Sequence, residues 1–404
     1  MEQQRVAEIL KKIKSARVAV YGDFCLDAYW IMDPRGSEVS IETGLQAEAV
    51  AKHYYTPGGA ANIVANLSAL KPASIKAIAV VGDDIYGREL TTQLRGLGAE
   101  TGGLVLQKEN FQTYTYLKKY NGDKEDPRND FGVYNHRSLE TDAQIIGNIR
   151  QALQEYDVLI FNQQVQDSLN NEFFIRAANE LFREFNDKIV IVDSRHYNDR
   201  FKNTYRKTND VEIARLCGAS VNPSDTIPIS DIKKYALEIY QKSGKPVFVT
   251  CGARGLIVTD QHGTHEIPGI QLTSRLDTVG AGDTCISAIA LCMSVGIAPA
   301  EAAAFANFAS AVTVQKVFTT GTANDEELLQ ISSDPSFVFN PDLADNIRNA
   351  KYIAGTEIEL CEEKIFDSLG DIKHAVFDHD GTISTLRQGW EEIMEPVMIK
   401  GHSG

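Results

Sequence analysis

Residues 277–284 combine a carboxylate, two glycines and a helix start within eight positions, with the sequence DTVGAGDT. Glycine lets the backbone approach a ligand closely and adopt dihedral angles that other residues avoid. The apolar run at residues 286–295 predicts a buried helix, which Gly296 can close. The first turn of that helix would offer free N–H groups and a positive dipole end to an anionic phosphate.

Asp283 lies in that first turn, where its carboxylate could take a proton from an attacking hydroxyl. Charge stabilisation, positioning and a modest base are what the transfer of a phosphoryl group from ATP to an alcohol requires. The same stretch is also typical of an ordinary helix N-terminus, because acidic residues are common in first turns for dipole reasons.

Glycines precede a second predicted helix in the sequence PGGAAN at residues 57–62. Because small residues permit close backbone approach, this stretch could cradle a polyhydroxylated substrate, with Asn62 bonding a hydroxyl. Tight packing of the helix against a sheet is the alternative. Asp23 and Asp27 follow the first predicted strand. Carboxylates accept hydrogen bonds from vicinal hydroxyls and so suit a sugar, although Asp27 could also be a helix or turn cap.

Two further groups could face a nucleotide. Asn222 and Asp225 could hold Mg²⁺-bound water and phosphate oxygens, or could simply form an Asx turn. Thr250, Gly252 and Gly255 follow a predicted strand and could flank a nucleotide, or could form a hairpin turn. The histidines are scattered without metal-ligand spacing, so we predict no metal site made of protein side chains alone in the first domain.

The composition is that of an ordinary globular protein: 404 residues, 43% hydrophobic and 24% charged. A net charge of −15 argues against a nucleic-acid or membrane-surface partner but leaves room for a local phosphate site. The six cysteines form no C-x-x-C pair, which favours reduced thiols. Since no secretory signal and no apolar run of about 20 residues is visible, we expect a cytoplasmic location.

The elements that must position these residues follow from apolar periodicity. Buried strands are predicted at residues 17–23, 75–81, 158–161, 189–192, 247–250 and 255–259. Helices are predicted at residues 60–70, 87–97, 171–185 and 229–243. This alternation predicts an α/β fold with a mainly parallel sheet covered on both faces. Ligands of such sheets lie beyond the carboxyl ends of the strands, which makes Asp23, Asp193 and Gly252 candidates by position.

Residues 30–57 and 104–137 break the alternation with short strand-like patterns and predict a lid, which would exclude water from the reaction. Turn signals after residue 325 predict a boundary. We therefore expect a first domain at residues 1–325, a linker at 326–370 and the start of another domain at 371–404.

The two glycine stretches, in this order, strongly resemble the two signatures of the ribokinase-type (PfkB) sugar kinases. Residues 80–87, with the sequence VVGDDIYG, are similar to a third segment of that family. The resemblance covers about residues 15–325 and implies a three-layer αβα sandwich with a small β lid. It also implies that Asp283 is the base and that the amides of Ala281, Gly282 and Asp283, after Gly280, form the anion hole.

The resemblance implies further roles. Asp23, Asp27, Gly58, Gly59 and Asn62 would hold the sugar. Asn222, Asp225, Thr250, Gly252, Gly255 and Asn307 would lie around ATP, with Mg²⁺ as the second cofactor. Lys118 and Arg195 would supply cationic contacts to a phosphorylated acceptor. Lid strands of this family often pair across protomers, which implies a homodimer.

Within the family, the chain most resembles the kinase half of the bacterial ADP-heptose pathway enzymes, which phosphorylate heptose 7-phosphate at the anomeric hydroxyl. It departs from that group in three places. The N-x-x-E motif is matched by Asn222 and Asp225, the D-P-K stretch reads DSR at residues 193–195, and the lid segment reads SIETGLQ at residues 40–46. A kinase for a ribose-, fructose- or nucleoside-like acceptor, and a sugar-binding regulatory protein without turnover, are the alternatives.

The tail resembles a different family. FDHDGT at residues 377–382 is similar to the first motif of haloacid-dehalogenase-type phosphatases, in which Asp378 would be the nucleophile and Asp380 the general acid/base, with Mg²⁺. Only 22 residues follow Thr382, too few for that family's later motifs. We expect either a fragment of a longer kinase–phosphatase fusion or a vestigial tail, and no phosphatase activity from these residues.

Overall fold

The computed structural model describes residues 1–122, 124–169, 171–272, 276–317 and 320–338, together with the strands Lys351–Tyr352 and Glu359–Leu360. The chain forms two compact units, Met1–Arg348 and Asn349–Gly404. Within the second unit, the two short strands pair antiparallel. The phosphatase-like motif with Asp378 and Asp380 lies outside the described residues, so its roles, like the predicted domain boundaries, stay predictions.

Nine described strands of the first unit form one large sheet. They are β1 (Arg17–Gly22), β4 (Ser74–Gly82), β5 (Glu100–Gln107), β9 (Val158–Gln163), β10 (Ile189–Ser194), β11 (Tyr205–Asn209), β12 (Val247–Thr250), β13 (Gly255–Asp260) and β14 (Gly263–Pro268). Their spatial order is β14-β13-β12-β11-β10-β9-β1-β4-β5. Every pairing from β12 to β5 is parallel, and β13 runs antiparallel to β12 and β14. The predicted mainly parallel sheet is confirmed.

Helices cover both faces of this sheet. Those described are α1 (Gln3–Ile13), α2 (Ala60–Leu70), α3 (Ile85–Gly96), α4 (Leu139–Glu155), α5 (Glu172–Glu184), α6 (Asp210–Leu216), α7 (Ile229–Ser243), α8 (Ala281–Ser294), α9 (Pro299–Val314) and α10 (Asp325–Ile331). Side chains of β1 alternate between two apolar clusters. Val18 and Val20 pack with α2, α8 and α9, whereas Ala19 and Tyr21 pack with α4 and α5. Two helical layers therefore enclose the sheet, which gives the predicted αβα sandwich.

None of the described helices is both long and apolar enough to cross a membrane. The apolar helix α8 is buried between the sheet, α2 and α9, as the unbroken burial from Thr284 to Met293 shows. Because this helix packs against the middle of the molecule, its N-terminus is held in a fixed place relative to the sheet. The cytoplasmic location expected from the sequence stays a prediction.

A second, smaller sheet forms the lid. Its strands are β2 (Phe24–Met32), β3 (Val50–Gly59), β6 (Thr115–Asn121), β7 (Lys124–Glu125) and β8 (Asn129–Phe131). The order is β3-β2-β6-β7, with β8 paired to β6. The lid begins earlier than residue 30, because β2 follows β1 after one residue, and residues 104–107 belong to β5 of the large sheet. Asp27 therefore lies on a strand and caps no helix.

Gly22, the last residue of β1, offers a test of this packing. A Cβ atom added to Gly22 would lie 2.1 Å from the carbonyl oxygen of Asn162 on β9. We expect Gly22→Ala to lower the free energy of unfolding by about 2 kcal/mol or more, because the sheet must part to admit the methyl group. The control is Gly147→Ala on the exposed face of α4, where a Cβ meets nothing within 4 Å.

In the control, alanine should stabilise the helix by about 0.5–1 kcal/mol. Urea unfolding of both variants measures the two changes. Equal shifts of the same sign would contradict the close approach of β1 and β9.

Candidate active site

The N-terminus of α8 carries the predicted glycine stretch. Gly280 precedes the helix in the left-handed conformation, with φ of 82°, and a Cβ there would lie 2.9 Å from the Asn62 amide nitrogen. The N–H of Ala281 donates to the carbonyl oxygen of Thr278 at 3.2 Å. The N–H groups of Gly282 and Asp283 have no acceptor among the described residues. Two of the three predicted anion-hole amides are therefore available to a ligand.

Asp283 is half-buried, and amide groups from two other elements hold its carboxylate. Asn62 on α2 donates to Oδ2 at 2.8 Å, and Gln164, just after β9, donates to Oδ1 at 3.1 Å. Burial raises the pKa of Asp283 to about 6, and the negative charge of Asp193 also raises it, whereas the hydrogen bond from Asn62 lowers it. At neutral pH the carboxylate is mostly ionised yet close to protonation, which suits a general base.

Lys207 on β11 is a residue that the sequence did not single out. Its side chain is buried, and its ammonium nitrogen lies 2.9 Å from Oδ2 of Asp193. The same nitrogen lies 3.0 Å from the position that a Cβ on Gly282 would occupy. Burial opposes its charge, but the carboxylates of Asp193 and Glu212 outweigh burial and raise the pKa of Lys207. A charged ammonium therefore stands beside the first turn of α8.

Asn209 and Glu212 at the carboxyl end of β11 also have the N-x-x-E spacing. They form a capping box at the start of α6: Asn209 Oδ1 accepts from the Glu212 N–H at 2.8 Å, and Glu212 Oε2 accepts from the Asn209 N–H at 2.9 Å. Burial, followed by the charge of Asp193, raises the pKa of Glu212. This second motif lies beside Asp193 and Lys207, at the same edge of the sheet as α8.

Asn222 and Asp225, by contrast, form an exposed turn that is closed on itself. The Asn222 N–H donates to Asp225 Oδ2 at 2.7 Å, and the Asp225 N–H donates to the Asn222 carbonyl at 3.1 Å. This is the Asx-type turn that the sequence left open as an alternative.

The sugar-side carboxylates lie where β1 passes into β2. Asp23 is buried, and its Oδ2 accepts from the N–H groups of Gln164 and Val165, both at 2.8 Å, and from the Ser168 hydroxyl at 2.9 Å. Burial raises the pKa of Asp23, although these donors oppose the shift. No described residue donates to its Oδ1, so that oxygen can accept from a ligand.

Asp27 faces the lid side of the same region. The ammonium nitrogen of Lys118 lies 3.5 Å from its Oδ2 and donates to the Tyr29 hydroxyl at 3.2 Å. Burial raises the pKa of Asp27, although Lys118 lowers it. Gly58 and Gly59 end β3 directly before α2, and a Cβ on Gly58 would come within 3.3 Å of the Asp27 carboxyl carbon.

The structure thus brings five predicted sugar residues to one place. They are Asp23, Asp27, Gly58, Gly59 and Asn62, and the hydrogen bond between Asn62 and Asp283 joins this group to the start of α8. Gln164 also touches both halves of the site, and sequence reasoning missed it because it lies in a loop without periodicity.

The remaining predicted nucleotide residues gather at another part of the sheet. Thr250, Gly252 and Gly255 surround the turn between β12 and β13, where the Thr250 hydroxyl donates to the Thr208 carbonyl at 3.2 Å. Asn307 on α9 donates to the Pro268 carbonyl at 2.8 Å. The hairpin turn that the sequence left open is therefore present.

Arg195 lies one residue after β10 and is exposed. Its N–H donates to the carbonyl of Gln163 at 3.0 Å, which fixes its backbone.

Comparisons with known proteins identify relatives of this chain. A protein relative described as bifunctional protein HldE, from Wolinella succinogenes, is 30% identical over 326 residues, which are 79% of this chain and 65% of that relative. Another protein described as bifunctional protein HldE, from Campylobacter curvus, is 27% identical over 369 residues, or 90% of this chain and 74% of the relative. The chain thus spans a little under two thirds of the first of these relatives.

Solved structures share the fold at lower identity. Ribokinase from Thermotoga maritima superposes with a TM-score of 0.58 at 19% identity, covering 79% of this chain and 100% of that protein. Phosphofructokinase-2 from Escherichia coli gives 0.61 at 17% identity, covering 79% and 98%. The ribokinase-like sandwich with a small β lid is confirmed.

The family model described as pfkB family carbohydrate kinase matches residues 15–327, which is most of the chain. Kinases of this family transfer a phosphoryl group from ATP to a sugar. With its sandwich fold, its β lid and the family match over these residues, the chain belongs to the pfkB family of carbohydrate kinases.

Proposed function

We propose that this kinase phosphorylates a hydroxyl of a sugar phosphate, with a heptose 7-phosphate-like sugar as the acceptor. The observation that carries the reaction is the convergence, at the start of α8, of the Asp283 carboxylate, two main-chain amides that no described residue accepts from, and the Lys207 ammonium. The choice of acceptor is supported by the resemblance to heptose 7-phosphate kinases and by relatives that carry the name HldE.

In the proposed reaction, Asp283 takes the proton of the acceptor hydroxyl as its oxygen attacks the γ-phosphorus of ATP. The bond from the γ-phosphorus to the bridging oxygen breaks and ADP leaves. The main-chain N–H groups of Gly282 and Asp283, placed by Gly280 and Ala281, stabilise negative charge on the phosphoryl group during its transfer. Lys207 adds a full positive charge beside them. Its electrostatic attraction to the phosphoryl group is stronger in this partly buried place than it would be in water.

On the acceptor side, the Oδ1 of Asp23 and the carboxylate of Asp27 would accept hydrogen bonds from sugar hydroxyls, and Asn62 would donate one. Gly58 and Gly59 leave room for the ring. Lys118 and Arg195 would contact the phosphate of the acceptor. Lys118 already forms an ion pair with Asp27. It is therefore better placed than Arg195 to contact a substrate that reaches both the lid and the large sheet.

On the nucleotide side, Thr250, Gly252, Gly255 and Asn307 would flank ATP. For Mg²⁺, Asn222 and Asp225 remain the residues that the sequence resemblance nominates. We favour Asn209 and Glu212 instead, because they stand at the carboxyl end of a central strand beside Lys207, whereas the other pair is committed to its own turn.

Glu212 fits Mg²⁺ in chemistry. Its Oε1 has no hydrogen-bond partner among the described residues. Burial and the nearby charge of Asp193 both disfavour the ionised form of Glu212. A Mg²⁺ ion bound to this carboxylate, directly or through water, would offset the cost of its negative charge. When bound, Mg²⁺ would neutralise charge on the phosphates of ATP.

Replacing the base tests the reaction. Asp283→Asn keeps the size of the side chain but cannot take a proton, so we expect kcat to fall by about 100- to 10,000-fold with little change in ATP affinity. The control is Asp187→Asn, an exposed aspartate after α5. In the unaltered enzyme, kcat/KM should fall as the pH drops below about 6, because protonation removes the base.

Stopped assays that measure ADP formation at pH values above and below 6 give both the kcat of Asp283→Asn and the pH dependence of the unaltered enzyme. An Asp283→Asn variant with unaltered turnover would end the proposed mechanism.

An acceptor panel decides the substrate. We expect the highest kcat/KM with heptose 7-phosphate, compared with ribose, fructose and a nucleoside at equal concentration. A preference for one of the latter three would make the chain a kinase for another acceptor. Binding of a sugar by calorimetry without any ADP formation, with Mg²⁺ supplied, would identify a regulatory sugar-binding protein instead.

The lid supports a homodimer as part of the proposal. β3 is an edge strand of the small sheet, and its residues from Val50 to Tyr54 are exposed, so its backbone can pair with a second copy. We expect a dimer in sedimentation equilibrium, and a larger monomer fraction for Val50→Lys. The matched control is Leu237→Lys on α7, since both side chains are 41% exposed. A monomeric unaltered protein would exclude the dimer.

A further inference from the structure

Gln164 makes two contacts that join the halves of the site. Its side-chain amide donates to Oδ1 of Asp283 at 3.1 Å. Its main-chain N–H donates to Oδ2 of Asp23 at 2.8 Å. One residue thus reaches the carboxylate at the start of α8 with its side chain and the carboxylate after β1 with its backbone.

The backbone around Gln164 is held from both sides. The N–H of Val165 and the hydroxyl of Ser168 donate to the same oxygen of Asp23, at 2.8 Å and 2.9 Å. On the other side, the side chain of Gln163 accepts from the Ser194 hydroxyl at 2.8 Å. Because the backbone is fixed, the side-chain amide of Gln164 is a fixed point from which the Asp283 carboxylate can be held.

The Asp283 carboxylate is clamped at both oxygens. Asn62 occupies one lone pair of Oδ2 and Gln164 one lone pair of Oδ1, so one lone pair on each oxygen stays available. Two contacts fix the plane of a carboxylate, whereas one contact leaves it free to rotate. Orientation matters because a base must lie within about 2.6–3.2 Å of the proton that it takes, and an error of about 1 Å can cost about 100-fold in rate.

We propose that Gln164 is a positioning residue for the base: its side chain orients the Asp283 carboxylate toward the acceptor hydroxyl, and its backbone ties that orientation to Asp23. This inference rests on the proposed function, in which Asp283 is the base. It adds that the sugar-side carboxylate and the base are mechanically linked through a single residue. The same residue therefore fixes the base and the sugar-side carboxylate relative to each other.

Other charged or titratable groups also face Asp283. They are Asp193 on β10, Lys207 on β11 and, more remotely, Cys25 on β2. Replacing Gln164 alters none of them, so a change in the titration of Asp283 would report the lost amide contact. An amide donor favours the ionised form of a carboxylate, and its loss must therefore raise the pKa.

The test is Gln164→Leu in the full chain, assayed with ATP, Mg²⁺ and the best acceptor of the panel. We expect the acid limb of kcat/KM to move up by about one pH unit, so that activity near pH 6 falls about fivefold further than activity near pH 8. KM for ATP should stay unchanged, because the amide contacts no proposed nucleotide residue. The matched control, Gln144→Leu on the exposed face of α4, should keep the original profile.

A second variant guards against misfolding. Gln164→Glu retains the size of the side chain but places a like charge beside Asp283, which should move the acid limb at least as far. Titration of the Asp283 carboxyl by ¹³C NMR, assigned as the signal that Asp283→Asn loses, provides a readout without turnover. An acid limb and a carboxyl titration that both stay in place in a folded variant would overturn the inference.

The two proposals fail separately. An active Asp283→Asn variant would overturn the proposed mechanism whatever Gln164 does. An inactive Asp283→Asn variant together with an unmoved profile in Gln164→Leu would overturn the role of Gln164 alone.

Discussion

The site depends on the cost of keeping charge at the half-buried start of α8. Three carboxylates, of Asp193, Glu212 and Asp283, gather there around one ammonium, that of Lys207. Burial favours the neutral acids, and an unpaired buried charge is costly. Fixed amides and one lysine keep the proposed base ionised at neutral pH without removing its affinity for a proton. A Mg²⁺ ion bound there would add positive charge to an edge that has a negative excess.

That constraint explains why so many elements end at one place. The apolar helix α8 is fixed by burial, so every group that compensates Asp283 has to be brought to it. α2 brings Asn62, the loop after β9 brings Gln164, and β11 brings Lys207. In a parallel sheet the carboxyl ends of the strands share one edge, which is how distant parts of the chain can meet there. The lid grows from the same edge, since β2 continues β1 and β3 leads into α2.

The large sheet and its helices were predictable because strands buried on both faces are apolar runs, and the bounds of α2 and α7 matched at both ends. Asp283 and Asn62 were found because glycine stretches precede their helices. Lys207 was missed because β11 reads YRKTN, without an apolar run. Because that strand was not predicted, sequence analysis placed the N-x-x-acid motif at Asn222 and Asp225 and did not consider Asn209 and Glu212 at the end of β11.

Lys207 also shows that a sequence motif need not reveal which residue carries the positive charge in the folded protein. Where the resembled kinases have D-P-K, this chain has DSR, and Arg195 is exposed. β10 and β11 are parallel neighbours, with Val192 paired to Arg206, so Lys207 on the next strand comes level with Asp193 and reaches its carboxylate. The strand pairing thus supplies from β11 the cation that the motif would supply from β10. The carboxylates at that edge of the sheet need a positive charge nearby, and either strand can provide it.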